Sequence, residues 1–468
     1  MSYARRKTSE VQVGNLLIGG ENPVRIQSMT TTSTMDTEGS VAQAERIVDA
    51  GGELVRFTTQ GQREALNMRA ISEGLRNRGV YVPLVADVHF NPAVADVAAT
   101  ICEKVRINPG NYVDPARKFK HLEYTDEEYA AELKKIEDRF VPFLNICKEH
   151  HTAIRIGVNH GSLSDRIMSR YGDTPEGMVE SCMEFLRICV REQFPNVVIS
   201  IKASNTVVMV RTVRLLVSAM DREGMAFPLH LGVTEAGEGE DGRIKSAVGI
   251  GALLCEGIGD TIRVSLSEPP ENEIPVAQAL VDMTRECAEL RERARHSIVN
   301  DTVTLELHED NWQVLQLKAS MTVGALLIDG LAHNLAIRCP GFDEDRLRSL
   351  ADDILQAARV RFSKTEFISC PGCGRTLYNL EQTIARIKQA FKEYSAEHPF
   401  INTLKIGIMG CIVNGPGEMA DADYGYVGAA AGKVSLYKGK QCVEMNIPEN
   451  EAVECLMKLI LRDSNHTS

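Results

Sequence analysis

Eight short apolar runs rich in β-branched residues precede residue 270 of the chain, and stretches with helical periodicity separate them. Strands that alternate with helices pair in parallel through right-handed crossovers. Eight such units fit a closed (β/α)8, TIM-type barrel. A doubly wound open sheet is the competing architecture, but no glycine-rich phosphate fingerprint follows the first run. The predicted strands are Val24–Met29, Leu54–Thr59, Leu84–Phe90, Val105–Pro109, Ile154–Asn159, Val197–Ser204, Leu229–Glu235 and Ile262–Leu266.

The sequence changes in character after about residue 365, where a helical pattern, a strand and a hairpin signal indicate a second, small α+β domain. We therefore predict a barrel over 1–290, an inserted segment over 291–364 and a C-terminal domain over 365–468. Within the inserted segment, Gly324–Gly330 repeats the pattern of Gly251–Gly257. The repeat is either coincidence or a duplicated barrel unit that now serves the structure alone.

Charge and hydropathy exclude several classes of function. The formal net charge is −12, which argues against a broadly basic surface for nucleic acid or acidic membranes, although a local basic pocket remains compatible with it. The chain has no apolar run long enough to cross a bilayer and no apolar core of a secretory signal near its first residues. We predict a cytoplasmic protein that binds neither nucleic acid nor a membrane.

Five of the predicted strands carry a cation where barrel strands usually have Val, Ile or Leu. These cations either face the surrounding helices and reach solvent, or they point inward and form an anion site. Five in five strands favour the inward arrangement, and so many cations suit a diphosphate. Strand alternation places Asp87 with His89, Arg155 with Asn159, and Arg263 with Ser265 on shared faces. The five cations are Arg56, Arg106, Arg155, Lys202 and Arg263.

Two carboxylates end predicted strands and are candidate proton-transfer groups. Asp87 lies at the end of the third strand and Glu235 at the end of the seventh. Each could equally pair with the arginine cluster. His89 and His230 also lie near strand ends, where a histidine is more often a hydrogen-bonded core residue.

Three cysteines of the C-terminal domain lie in glycine-rich segments, in the spacing Cys-x2-Cys-x37-Cys-x6-Glu. The Cys-x2-Cys pair alone is compatible with zinc, a redox dithiol or an iron–sulfur cluster. The third cysteine has no neighbouring Cys or His, and Cys442, a conceivable fourth ligand for zinc, lies in a predicted strand. The pattern favours a cubane cluster with one iron left to a carboxylate. The candidate ligands are Cys370, Cys373, Cys411 and Glu418.

A diphosphate pocket beside a cluster with an open iron predicts reductive chemistry on a phosphorylated small molecule. Two other classes stay open at this point. One is an aconitase-like hydro-lyase, which uses the open iron as a Lewis acid without net electron transfer. The other is a non-catalytic cluster carrier, against which the costly buried charges argue.

Several segments resemble the 4-hydroxy-3-methylbut-2-enyl diphosphate synthase family, the iron–sulfur enzymes of the methylerythritol phosphate route to isoprenoids. The resemblance spans both ends of the chain and leaves the region near 291–322 poorly matched. The matching segments are Ile26–Thr30, Leu84–Phe90, Val105–Asn111, Ile154–Asn159, His230–Gly237, Gly257–Leu266 and Met409–Glu418.

The resemblance implies reductive ring opening of 2-C-methyl-D-erythritol 2,4-cyclodiphosphate, with two electrons from ferredoxin or flavodoxin and loss of water. It implies a 4Fe-4S cluster on the three cysteines, with Glu418 as the displaceable fourth ligand. Together with the two strand-end carboxylates, the candidate catalytic groups are Glu418, Glu235 and Asp87. The residues expected to grip the cyclic diphosphate are Arg56, His89, Arg106, Arg155, Asn159, Lys202, Arg263 and Ser265.

The chain departs from the family pattern between its two main domains. Compact members join the barrel directly to the cluster domain, whereas a larger form inserts a whole domain there. The segments Cys370–Leu377 and Ala420–Val427 resemble the larger form, yet only 291–364 separates the two domains here. In compact members a dimer partner supplies the cluster, whereas in the larger form one chain can close on itself. Between these two arrangements we predict a homodimer.

Overall fold

The computed structural model describes residues 3–114, 123–412, 417, 419 and 421–464. Eight strands form one sheet in the order β8-β7-β6-β5-β4-β3-β10-β9, in which all neighbouring strands are parallel. A bridge between Ile199 and Leu229 joins the two ends of this order and closes a barrel. The first ten strands are β1 (Val11–Val13), β2 (Leu16–Ile18), β3 (Arg25–Met29), β4 (Leu54–Thr59), β5 (Leu84–Val88), β6 (Lys104–Ile107), β7 (Ala153–Asn159), β8 (Val197–Lys202), β9 (His230–Leu231) and β10 (Thr261–Ile262).

Ten helices surround the barrel, and their apolar faces form one continuous core with the outward-facing side chains of the strands. Two short 3-10 helices, His160–Ser162 and Pro270–Asn272, lie in the connections. The helices are α1 (Thr37–Asp49), α2 (Gln62–Asn77), α3 (Pro92–Ala99), α4 (Pro109–Tyr112), α5 (Asp126–His150), α6 (Asp165–Tyr171), α7 (Pro175–Arg191), α8 (Thr206–Arg222), α9 (Gly239–Leu254) and α10 (Glu273–His296).

A hairpin covers the amino-terminal end of the barrel. Strands β1 and β2 pair antiparallel around the turn at Gly14. Val11, Val13 and Ile18 are fully buried against the first residues of the barrel strands, among them Leu54. The hairpin therefore seals the barrel floor and leaves only the opposite end, where the strands finish, open to a ligand.

The segment after α10 is a parallel βαβα unit outside the barrel. Its strands β11 (Thr302–Glu306) and β12 (Asn334–Arg338) pair only with each other among the described residues, and its helices are α11 (Trp312–Ile328) and α12 (Glu344–Ala357). Helix α11 packs against α9. The two repeated motifs meet at this contact, because a Cβ at Gly251 would lie 2.5 Å from Met321 Cγ and one at Gly324 would lie 2.9 Å from the Val248 carbonyl. The repeated glycines let the two helices approach closely.

The C-terminal domain is a five-stranded mixed sheet with helices, in the order β13-β14-β15-β16-β17. The first three strands are parallel and the last two antiparallel. The predicted architecture, a (β/α)8 barrel followed by a small α+β domain, is confirmed. No described helix is long and apolar enough to cross a membrane. The elements are β13 (Glu366–Ser369), α13 (Leu380–Ser395), the 3-10 helix Pro399–Thr403, β14 (Lys405–Met409), β15 (Tyr424–Ala430), β16 (Lys433–Lys438), β17 (Gln441–Pro448) and α14 (Glu449–Ser464).

The C-terminal sheet lies over the open end of the barrel of the same chain. Lys245 of α9 and Arg359, which follows α12, both pair with the carboxylate of Glu366, at 2.8 and 2.7 Å. The Ser267 hydroxyl donates a hydrogen bond to the Cys370 carbonyl at 2.9 Å. Barrel, inserted unit and C-terminal domain therefore converge on β13, which leads directly into the first cysteine loop.

Candidate active site

One cavity lies between the carboxyl ends of the barrel strands and the loops that follow β13 and β14. Its empty volume, part of which is open to solvent, is about 800 Å³. Most of its lining from the barrel is charged, and its roof is the cysteine loops of the C-terminal domain. The lining residues are Met29, Arg56, Asp87, Arg106, Arg155, Asn159, Ser200, Lys202, Thr234, Glu235, Arg263, Ser265, Cys370, Pro371, Gly372, Cys373, Arg375, Met409, Gly410 and Cys411.

Asp87 is the centre of the charge network at the barrel mouth. Its Oδ2 lies 2.7 Å from Arg56 Nη2, and its Oδ1 accepts a hydrogen bond from Arg106 Nη1 at 3.0 Å. A third guanidinium, that of Arg375, lies 3.2 Å from Oδ2. Burial alone would raise the pKa of Asp87, but the three arginines hold it well below its usual range. Asp87 is therefore ionised.

The other contacts of Arg106 fix the guanidinium against the wall of the cavity. Its Nη1 lies 2.9 Å from His89 Nδ1, and its Nη2 donates to the Gly157 carbonyl at 2.9 Å. Asn159 Oδ1 is 3.5 Å from the same Nη2. His89 is not among the residues that line the cavity. It contacts Arg106 instead, so the structure places it behind the expected phosphate contacts.

Arg263 has a carboxylate partner of its own, which sequence reasoning did not find. Its Nε and Nη2 donate to Glu273 at 3.0 and 2.9 Å. Glu273 is the first residue of α10, the helix that follows β10. Ser28 Oγ donates to the same carboxylate at 2.7 Å. Glu273 is 1% exposed, so this is a buried ion pair at the edge of the cavity. Arg263 thus forms a buried ion pair with Glu273 and also lines the cavity.

Arg155 and Lys202 form the deep wall of the cavity. Two nitrogens of Arg155, Nε and Nη1, have no hydrogen-bond partner among the described residues. Burial lowers the pKa of both side chains well below the usual values, and the neighbouring Arg56 lowers each further. Burial also lowers the pKa of Arg56 itself to about 10, although Asp87 opposes the shift. This concentration of poorly neutralised cations is a strong site for a multiply charged anion.

Glu235 projects into the cavity from a left-handed backbone position. Its φ is +49°, which non-glycine residues seldom adopt and which occurs preferentially at functional sites. Its carboxylate accepts a hydrogen bond from the Thr234 hydroxyl. Glu235 and Cys370 line the same cavity, and both burial and the charge of Glu235 raise the pKa of the Cys370 thiol.

The three candidate cysteine ligands come together in the roof. Cys370, Cys373 and Cys411 are partly exposed and line the same space. The Gly410 amide donates to Cys370 Sγ at 3.2 Å. No three His, Cys, Asp or Glu side chains in the described part of the chain converge on a single ion position. Three thiols that share a space in this way fit a cluster, in which each binds a different iron. Cys442 lies in β17 and is not in the lining, and Glu418 lies outside the described residues.

The structure brings most of the residues predicted to bind the diphosphate into this one cavity, with His89 the exception. His230 lies deeper in the barrel, fully buried, with its Nδ1 3.3 Å from Thr261 Oγ1. Sequence reasoning missed Arg375, Glu273 and the buried Lys104. A charged residue inside the glycine-rich cysteine loop is the one signal that could have pointed to Arg375.

Family models match both parts of this site. The GcpE TIM-barrel domain matches residues 8–278, and the GcpE protein C-terminal domain matches residues 366–462. The chain belongs to the GcpE family. Its relatives in that family include proteins named 4-hydroxy-3-methylbut-2-en-1-yl diphosphate synthase (flavodoxin), so the predicted iron–sulfur oxidoreductase of isoprenoid synthesis is confirmed.

Three such relatives are each 52% identical to this chain. The protein from Bacteroides thetaiotaomicron aligns over 610 residues, 99% of this chain and 98% of the relative. The Bacteroides fragilis protein aligns over 617 residues, 99% and 97%, and the Phocaeicola vulgatus protein over 615, 100% and 99%. Among solved structures, N-acetylneuraminic acid synthetase from Leptospira borgpetersenii matches with a TM-score of 0.40 and 11% identity, over 63% of this chain and 98% of that one.

The alignments also show that this member of the GcpE family is shorter than those relatives. The 610 aligned positions exceed the 468 residues of the chain by 142. The two family models match 8–278 and 366–462, and the βαβα unit lies in the unmatched range between them.

Proposed function

We propose that this chain catalyses the reductive ring opening of 2-C-methyl-D-erythritol 2,4-cyclodiphosphate to 4-hydroxy-3-methylbut-2-enyl diphosphate. The C2–O bond to the diphosphate breaks, the C3 hydroxyl leaves as water, and a C2–C3 double bond forms. The conversion consumes two electrons and one proton. One observation carries the proposal: the cysteine loops and the buried cations line the same cavity.

The barrel side of the cavity holds the diphosphate. Arg155 and Lys202 form its deep wall, where burial and neighbouring cations lower the pKa of both side chains and a bound anion would restore their charge. Arg56 and Arg106 stand on the opposite side, oriented by Asp87, and their guanidinium groups can grip phosphate oxygens in pairs. Asn159 and Ser265 add neutral hydrogen-bond groups to the lining. This grip leaves the reacting carbons facing the roof.

The roof holds the iron–sulfur cofactor. Cys370, Cys373 and Cys411 would bind three irons of a 4Fe-4S cluster, and Glu418 would supply a carboxylate to the fourth. When bound, this cluster supplies electrons to the substrate carbons one at a time. The Gly410 amide, which already donates to Cys370 Sγ, stabilises negative charge on that sulfur.

Two carboxylates have different tasks in the proton balance. Asp87 is held ionised by three arginines, so it orients guanidinium groups and keeps no proton to give. Glu235 accepts a hydrogen bond from the Thr234 hydroxyl and lines the cavity together with Cys370 of the roof. We assign to Glu235, together with Glu418, the delivery of the proton that leaves in water.

Anaerobic reconstitution tests the proposal. The chain should take up about four iron and four sulfide per molecule and form the diphosphate product when reduced flavodoxin or dithionite is supplied. Flavodoxin is the donor named for the relatives, and reduced ferredoxin is the parallel arm. Product formation without consumption of electrons would instead identify a hydro-lyase and overturn the proposal.

Two cysteine variants make the assignment of the cluster specific. Cys411→Ser should lose cluster iron and turnover, because Cys411 lines the cavity. Cys442→Ser is the matched control, since Cys442 is a partly exposed cysteine of the same domain that lies outside the lining. Equal iron loss in both variants would contradict the assignment of Cys411 as a ligand.

A further inference from the structure

Arg375 reaches from the cysteine loop of the C-terminal domain into the barrel mouth. It follows Cys373 by two residues, and its side chain is only 8% exposed. Its Nη2 donates to Asp87 Oδ2 at 3.2 Å, which joins the two domains across the cavity. Arg375 also lies in the cavity lining beside Cys373 and Cys411. Among the arginines that line the cavity, it alone belongs to the C-terminal domain.

Pairing with Asp87 alone does not explain this position. Both oxygens of that carboxylate already have arginine partners from the barrel, Arg56 at 2.7 Å and Arg106 at 3.0 Å. Three guanidinium groups therefore share one negative charge. A third cation beside two others costs free energy unless further negative charge is present. Cys373 and Cys411 favour the charge of Arg375 from the loop side, and an anion in the cavity would favour the charge of all three arginines.

The backbone next to Arg375 is shaped for this close approach. A Cβ at Gly374 would lie 2.8 Å from the Thr32 carbonyl oxygen of the barrel. Any side chain at this position would push the loop away from the barrel. The absence of a Cβ at Gly374 thus allows the backbone of the loop to contact that of the barrel. This contact places the next residue, Arg375, in the lining of the cavity.

We propose that Arg375 binds the diphosphate of the substrate from the side of the cysteine loop, and so aligns the substrate between barrel and cluster. The inference rests on the proposed function and adds a positioning residue to it. Arg56 and Arg106 bind the anion from the barrel side of the cavity, and Arg375 binds it from the side of the C-terminal domain. The anion adds negative charge where the three guanidinium groups meet.

Calorimetry with inorganic pyrophosphate on the anaerobically reconstituted enzyme tests this role without turnover. Arg375→Gln should bind pyrophosphate about 10- to 100-fold more weakly, the usual worth of a hydrogen bond to a charged group. Arg375→Lys, which keeps the charge, should recover part of that loss. Arg386→Gln is the control, because Arg386 is an exposed arginine on α13 of the same domain, outside the lining.

Each outcome decides the role of Arg375. Weaker pyrophosphate binding with unchanged iron content, together with a higher KM for the substrate, supports it. Binding by Arg375→Gln within twofold of the parent enzyme overturns it, as does loss of iron in that variant, which would indicate a structural role in the loop. Failure of the parent enzyme to bind pyrophosphate or turn over substrate would instead overturn the proposed function itself.

Discussion

Lys104 is buried inside the barrel with no counter-ion in the described part of the chain, and this makes folding of the ligand-free chain depend on pH. It lies two residues before Arg106 on β6, so both side chains share the inner face. Lys104 is 0% exposed, and its Nζ has no hydrogen-bond partner among the described residues. Burial lowers its pKa well below the usual value, and Arg155 and Arg56 lower it further.

The other charged groups around Lys104 do not reverse this direction. His230 and Lys202 also lie in the barrel interior and have lowered pKa values themselves. Asp87 is the acidic group of the same network, but its oxygens are engaged by Arg56, Arg106 and Arg375. Lys104 therefore loses its proton on folding at a pH where the unfolded chain still keeps it.

The sign of the effect follows from proton counting. The unfolded lysine has a pKa of about 10.4, so between the lowered folded-state pKa and pH ~10.4 the unfolded chain binds one more proton. The free energy of unfolding then rises with pH by about 1.4 kcal/mol per pH unit from this residue. Lys104→Met removes the contribution. The variant should be more stable than the parent near neutral pH, and its advantage should shrink by about 1.4 kcal/mol for each unit of increasing pH.

Urea unfolding of the cluster-free chain at several pH values from neutral to mildly alkaline measures this difference. The comparison of variant with parent cancels the other titrating groups, and Lys433→Met, at an exposed position on β16, serves as the control. A stability difference between Lys104→Met and the parent that stays constant over this range would show that Lys104 is charged in the fold. That result would refute the reasoning.

Variants at four further positions test the site and its surroundings. Arg56→Ala should weaken substrate binding by about 2–5 kcal/mol, measured by calorimetry, because it removes a buried charge from the anion site. Arg263→Ala should lower stability by about 3–5 kcal/mol in urea unfolding because it strands Glu273, whereas Arg263→Lys should keep most of it. Glu418→Ala should keep iron on three cysteines but lose turnover about 100-fold or more. Arg348→Ala, on the exposed face of the inserted unit, should leave turnover unchanged.

The strands of the barrel could be predicted because each is buried on both faces, and buried strands read as continuous apolar runs. The same rule misplaced the start of the fourth strand. It was predicted to begin at Val105, whereas the structure begins β6 at Lys104. The apolar pattern fails where a polar side chain points into the barrel interior, and the buried Lys104 was missed with it.

The sequence could not show which residues contact each other in the folded chain. Arg263 could be recognised as unusual because it interrupts an apolar strand, but Glu273 is an acidic residue in the first turn of a helix, which is an ordinary place for one. Only the tertiary fold shows that the two form a buried ion pair. Arg375 was hidden for a similar reason, because a glycine-rich loop has no periodicity that would give the direction of a side chain.

The predicted homodimer stays a prediction, and the inserted unit bears on it. The two family models leave residues 279–365 of this chain unmatched between them, and the inserted unit lies in that range. In this chain Glu366 at the start of β13 is held by Lys245 of the barrel and by Arg359 of the inserted unit. The bridge from Ala236 to Ser369 then fixes the strand that enters the cysteine loop. Because these contacts lie at the end of the insert and not along it, the insert can shorten while the cysteines still face the barrel of their own chain.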